Sequence, residues 1–227
     1  KYLPEHPHVI EMYDHGMKKQ GSVEVPYITT KYMKNGSLEK QFPSGQKATL
    51  LETVTCVKQI GSALQHAHDN GIKHFDVKPA NILLKDHGGY VLADFGEASI
   101  NSGQKPLPFG TFVYMPPEAF YERKYFEPND QYALGILTYR LLTGSEPFQT
   151  TAIDPMQEAK ELYQKHQNDP VPSLTAQGIP QEVENVVIKV LAKDPKDRYN
   201  SVQDFADALD QAVNSPQQNQ QQQRLRI

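Results

Sequence analysis

The octapeptide from His74 to Asn81, HFDVKPAN, puts a carboxylate, a cation and an amide on one short stretch: Asp76, Lys78 and Asn81. Phosphoryl transfer asks for those three groups. It is helped mainly by positioning a hydroxyl in line with the phosphate and by neutralising charge with a metal and a lysine. In that chemistry Asp76 orients the hydroxyl and accepts its proton, Lys78 sits on the transferred phosphate, and Asn81 ligates Mg²⁺. A second carboxylate follows in Asp94-Phe95-Gly96, delivered by a predicted strand from Tyr90 to Ala93. It can reach phosphate oxygens through Mg²⁺, and the glycine lets the backbone turn directly after it. A third stretch, GTFVYMPPE, runs from Gly110 to Glu118.

In this order and spacing the three stretches resemble the catalytic loop, Asp-Phe-Gly and Ala-Pro-Glu motifs of the eukaryotic-type Ser/Thr protein kinases. The resemblance spans roughly residues 5 to 213. It implies an α+β, protein-kinase-like fold with a mostly helical large lobe and a remnant β-hairpin of the small lobe. It also implies ATP and Mg²⁺ as cofactors and a protein hydroxyl as acceptor. Lys78 resembles the Ser/Thr branch, since tyrosine kinases usually carry arginine or alanine in that part of the loop, and Thr111 is the candidate phosphosite. For nucleotide binding the resemblance implies Thr30 behind the adenine pocket, Lys31-Tyr32-Met33 as a hinge whose Lys31 and Met33 backbone groups hold adenine, and Leu83 beneath the ring. Support is implied from His74 packed on Phe95, from Asp130 bonded to the catalytic-loop backbone, and from Arg198 paired with Glu118.

The elements that must position these groups are visible in the hydrophobic pattern. Val9 to Asp14 and Val25 to Met33, around a polar turn from Lys18 to Ser22, read as a hairpin. Asn35-Gly36-Ser37 gives a turn and an N-cap for a short helix through Phe42. From Ala48 to Asn70, Leu50, Val54, Val57, Gly61 and Leu64, widened by Leu51, Ile60 and Ala67, mark the buried face of a helix that Gly71 stops. Glu127 to Thr143 is apolar on nearly every side, the mark of a helix buried all round. Met156 to His166 is amphipathic, a further helix opens at Pro180, and Ser201 to Asp204 resembles a capping box before the last helix. The organisation expected is therefore 1–36 for the end of the small lobe and hinge, 37–213 for the large lobe, and 214–227 for a Gln-rich, disordered tail.

With 38% hydrophobic and 22% charged residues in 227, the composition is that of an ordinary globular protein. A formal charge of −4 gives no reason to expect a nucleic-acid partner, and no apolar run approaches the roughly 18 residues of a membrane span. The cytoplasm is the expected location. Cys56, the single cysteine, falls among apolar residues and reads as a buried, inert thiol. His66 and His68 are too close in sequence to share a helix face as metal ligands.

Three departures from the family pattern stand out. There is no Gly-rich loop, no Val-Ala-Ile-Lys strand and no helix with a glutamate partner, so the chain is expected to be a piece of a longer protein. Phe75 replaces the usual arginine, which removes the docking charge for an activation-loop phosphate. Pro116 replaces alanine in the PPE triplet. The alternatives to a protein kinase are a pseudokinase or scaffold that keeps the fold without turnover, and a small-molecule phosphotransferase of the aminoglycoside-kinase type, which lacks a PPE-like segment.

Overall fold

The computed structural model describes residues 3–95, 99–100, 112–120 and 127–224. Two strands, β1 (Met12–Gln20) and β2 (Val23–Thr30), form an antiparallel hairpin with Gln20 opposite Val23. The first strand therefore runs through Lys18 and Lys19, which the sequence reading assigns to the turn. Both faces of this hairpin are exposed, so no burial pattern marks where the strand stops, and the two-residue turn at Gly21-Ser22 is set by pairing and by the left-handed φ of +63° at Gly21. Met17, Val23 and Ile28 are each about 60% exposed on it. Val9 is not part of the hairpin: it bridges in parallel to Leu92.

The short helix α1 (Leu38–Gln41) starts after Ser37, whose side chain makes no capping bond. Helix α2 (Leu50–Asp69) has a capping box the hydrophobic pattern did not reveal, in which Thr49 accepts from Glu52 N and the Glu52 carboxylate accepts from Thr49 N. Its buried stripe includes Val54, Val57, Ile60, Gly61, Leu64 and Ala67, while Leu51 turns out to solvent at 74% exposure. Gly71 ends it with φ +73° and an N–H bonded to the His68 carbonyl.

Four short strands follow among the described residues. β3 (Ile72–Lys73) pairs with β6 (Ser99–Ile100), and β4 (Ile82–Leu84) pairs with β5 (Tyr90–Leu92), both antiparallel. These pairs bracket the two loops that carry the predicted chemistry.

The helical part is built round α4 (Glu127–Thr143), in which every residue from Asn129 to Thr143 is buried. A Cβ at Gly135 would lie 2.7 Å from Val190 Cγ1, so only glycine admits the close approach of α6 (Gln181–Val190). Helix α3 (Pro117–Phe120), which carries Glu118 of the PPE triplet, α5 (Pro155–Asn168) and α7 (Val202–Arg224) complete the set. Asp154 caps α5 by accepting from Gln157 N, and Ser201 Oγ accepts from Asp204 N at the start of α7. Helix α7 runs through the Gln-rich stretch, which the sequence reads as a tail, to Arg224; glutamine is among the better helix formers, whereas Pro216 in the same stretch has no N–H to give the helix ladder.

One core joins α2, α4, α6 and α7, with Leu64, Tyr132, Leu134, Leu137, Val187 and Phe205 among its buried members.

Candidate active site

Asp130, fully buried in the first turn of α4, holds the catalytic loop from beneath. Its Oδ2 accepts from the His74 N–H at 2.9 Å and its Oδ1 from the Phe75 N–H at 2.7 Å. The His68 imidazole, from the end of α2, closes on Oδ2 at 2.7 Å. Burial alone would raise the carboxyl's pKa, but these bonds outweigh it and hold it below the usual value. His68 was set aside in the sequence reading as half of an unsuitable metal pair. The signal for its real role was its place four residues after the buried Leu64, on the inner face of α2. His66 goes elsewhere, stacking on His6 at 4.8 Å.

With its first two amides fixed, the loop takes a left-handed turn at Phe75, φ +62°, which few non-glycine residues adopt. Asp76 then meets both of its sequence partners. Lys78 Nζ lies 2.8 Å from Asp76 Oδ2, and Asn81 Nδ2 donates to the same oxygen at 2.8 Å and to the Asp76 carbonyl at 2.9 Å. The amide nitrogen of Asn81 is thereby committed to the loop, and its other end, a hard oxygen donor, is the part suited to Mg²⁺. The Ala93 N–H donates to the Asn81 carbonyl at 2.8 Å, which sets the next residue, Asp94, beside the catalytic loop. Asp94 is exposed and, like Phe75, left-handed, at φ +61°. A carboxylate and an amide oxygen on adjoining backbones suit Mg²⁺, which keeps several waters and shares substrate phosphates rather than needing a full protein cage. Among the described residues there is no group of three or more His, Cys, Asp or Glu placed to hold a metal.

His74 is a positioning residue. Its ring is buried, lies edge-on to Phe95 at 4.6 Å, donates from Nε2 to the Ala93 carbonyl at 3.0 Å, and accepts from the Asp76 N–H at Nδ1. That pattern requires the neutral ring, and burial lowers its pKa accordingly.

At the hinge, β2 ends at Thr30, which is exposed here. The Lys31 N–H is bonded to the Glu11 carbonyl at 2.9 Å and the Met33 carbonyl to the Gly36 N–H at 3.1 Å. Leu83, half-buried on β4, bridges to Ser37 just after the hinge.

Arg198 and Glu118 meet beneath the peptide segment 112–120, so called from its place in the family pattern, in a buried, two-pronged ion pair at 2.8 and 2.9 Å. A second clamp on that segment, absent from the sequence reading, joins Tyr114 to Arg140 and Glu146: the Tyr114 hydroxyl donates to Glu146 at 3.0 Å and accepts from Arg140 at 3.1 Å. Gly96, Gly110 and Thr111 lie outside the described residues. Cys56 is buried and its thiol pKa is pushed up by desolvation, as an inert thiol requires. No helix among the described residues is long and apolar enough to cross a membrane.

Residues 2–214 match the protein kinase domain family. The serine/threonine-protein kinase PrkC of Bacillus subtilis is 32% identical over 207 residues, which cover 88% of this chain and 30% of that protein. Serine/threonine-protein kinase PknH of Mycobacterium tuberculosis is 33% identical over 220 residues, 94% of this chain and 34% of the relative. PknB of Mycobacterium leprae is 32% identical over 202 residues, 86% and 32% of the two chains. The chain thus spans about a third of the length of these relatives. A catalytic loop hung from a helix carboxylate, with a second carboxylate brought alongside it and a match over nearly the whole length, has one reading: the chain belongs to the protein kinase domain family.

Proposed function

We propose that the protein transfers the γ-phosphate of ATP to serine or threonine hydroxyls of protein substrates. The observation that carries this is the convergence of Lys78 and Asn81 on one oxygen of Asp76, with Asp94 brought alongside by the Ala93–Asn81 backbone bond. Bound Mg²⁺ would neutralise phosphate charge from Asn81 and Asp94. Asp76 orients the acceptor hydroxyl and takes its proton, and Lys78 turns from Asp76 to the transferred phosphate. The internal bonds at the hinge use the Lys31 N–H and the Met33 carbonyl. The Lys31 carbonyl and Met33 N–H are therefore the groups assigned to the adenine edge, with Leu83 below it and Thr30 behind it.

The likeness to named Ser/Thr kinases and the lysine at position 78 both support the Ser/Thr class, and Thr111 is the candidate phosphosite. The cytoplasm, where ATP and Mg²⁺ meet protein substrates, is the proposed compartment. The experiment is transfer of labelled γ-phosphate to a protein substrate by the complete protein, with phosphoamino-acid analysis of the product. Label on serine or threonine at about 1 s⁻¹ or faster is expected. Nucleotide binding without transfer would support a scaffold instead, and label on a small-molecule hydroxyl alone would assign the acceptor wrongly.

A further inference from the structure

His166 stands near the end of α5, and its ring is fully enclosed. Phe120, Tyr132 and Phe148 surround it at ring distances of 5.8, 5.7 and 4.8 Å. Its Nδ1 lies 2.8 Å from the Tyr132 hydroxyl. Its Nε2 has no well-formed hydrogen bond, and the Val113 backbone beside the ring favours the charged form. Burial first, and the Lys193 ammonium second, drive the imidazole pKa down to about 3, so the ring is neutral. In the neutral tautomer with its proton on Nε2, Nδ1 accepts from the Tyr132 hydroxyl.

Tyr132 leads directly to the peptide segment. The Arg198 guanidinium lies 4.7 Å over the Tyr132 ring, and Arg198 grips Glu118. A second route runs through Lys193, whose ammonium donates to the His166 carbonyl at 2.6 Å and whose own carbonyl accepts from Arg198 at 3.4 Å. Packing alone does not explain an imidazole here. A phenylalanine would fill an aromatic cage without burying two polar ring nitrogens, which is costly. What the imidazole adds is the acceptor for Tyr132.

We infer that His166 is a positioning residue for the peptide segment 112–120: its neutral ring fixes the Tyr132 hydroxyl, and so the ring on which Arg198 rests while it holds Glu118. The effect on substrate rests on the kinase reading above; the effect on the segment does not.

The test is amide hydrogen exchange in the complete protein, which needs no catalysis, alongside steady-state kinetics. Tyr132→Phe deletes one oxygen and keeps the ring. His166→Leu removes the acceptor, whereas His166→Asn presents an oxygen near the place of Nδ1. Exchange in 112–120 is expected to quicken about five- to tenfold in the first two variants, as for loss of one buried hydrogen bond, with α2 unchanged and His166→Asn close to the parent. The KM for protein substrate should rise by a similar factor, and the KM for ATP should hold.

Faster exchange in a protein whose parent transfers no phosphate would sustain the inference and sink the kinase reading. Unchanged exchange in folded Tyr132→Phe, or a His166→Asn variant no better than His166→Leu, would overturn the inference. If His166→Leu does not fold, Tyr132→Phe decides it.

Discussion

Arg198 and Glu118, eighty positions apart in sequence, meet through two parallel bonds of 2.8 and 2.9 Å, and each side chain is less than a tenth exposed. Removing one partner leaves an unpaired buried charge, which costs about 3 to 5 kcal/mol of the roughly 5 to 15 that hold a domain together. Arg198→Ala should therefore melt well below the parent. The double change with Glu118→Ala should be much less damaging than the two singles summed, because no lone charge remains. Thermal melts of the three variants check this, and strictly additive losses would refute it.

The proposed function gives Asp76 and Asp94 separable tasks. In the complete protein, Asp94→Asn should abolish Mg²⁺-dependent nucleotide binding, while Asp76→Asn should slow transfer by about 10² or more and leave ATP affinity near that of the parent. Calorimetric titration with Mg²⁺-ATP distinguishes them. Equal losses of affinity would mean that the proton acceptor and the metal ligand have been assigned wrongly.

Residues 1–227 assayed by themselves should transfer little phosphate, because the sequence holds no Gly-rich loop and no Val-Ala-Ile-Lys lysine to grip the α and β phosphates. A rate near 1 s⁻¹ from this stretch alone would show that those parts are dispensable here.

Acid should destabilise the fold through its buried histidines. His166 is lowered from 6.5 to about 3 in the folded protein, so between those values the unfolded chain binds a proton that the native one refuses. Stability contributed by the neutral ring is full above pH 6.5 and falls by about 1.4 kcal/mol per pH unit below it, levelling off near pH 3. His74, also lowered by burial, acts with the same sign. Denaturant melts of the parent and His166→Asn between pH 7 and 5 measure the slope, and a parent as steep as the variant would exclude His166 as its source.

The candidate catalytic residues were legible because phosphoryl transfer demands particular groups at short spacings, and Asp76, Lys78 and Asn81 lie on six consecutive residues. Asp130 and Arg198 were legible only through the family pattern, since nothing local marks a carboxylate or guanidinium that will be buried against a distant element. The hydrophobic period placed α4 to the residue, because a helix buried all round leaves no ambiguity of face. It missed the end of β1, where both faces are exposed, and it put Leu51 on the inner side of α2. The Thr49 capping box and the clamp of Arg140 and Glu146 on Tyr114 depend on side-chain bonds with no periodic signature. His166 was invisible because a histidine on an amphipathic helix looks the same whether it is wet or caged.

Both amides that open the catalytic loop end on the carboxylate of Asp130, so the start of the loop takes its coordinates from α4. A rotation about the hinge at 31–33 would carry β1 and β2 with it and leave Asp76 where α4 puts it. Asp76 and the segment 112–120, which Arg198 secures against the same helix, then share one frame. On the proposed reading, opening and closing for nucleotide would change how ATP approaches the acceptor hydroxyl without disturbing how that hydroxyl is aimed.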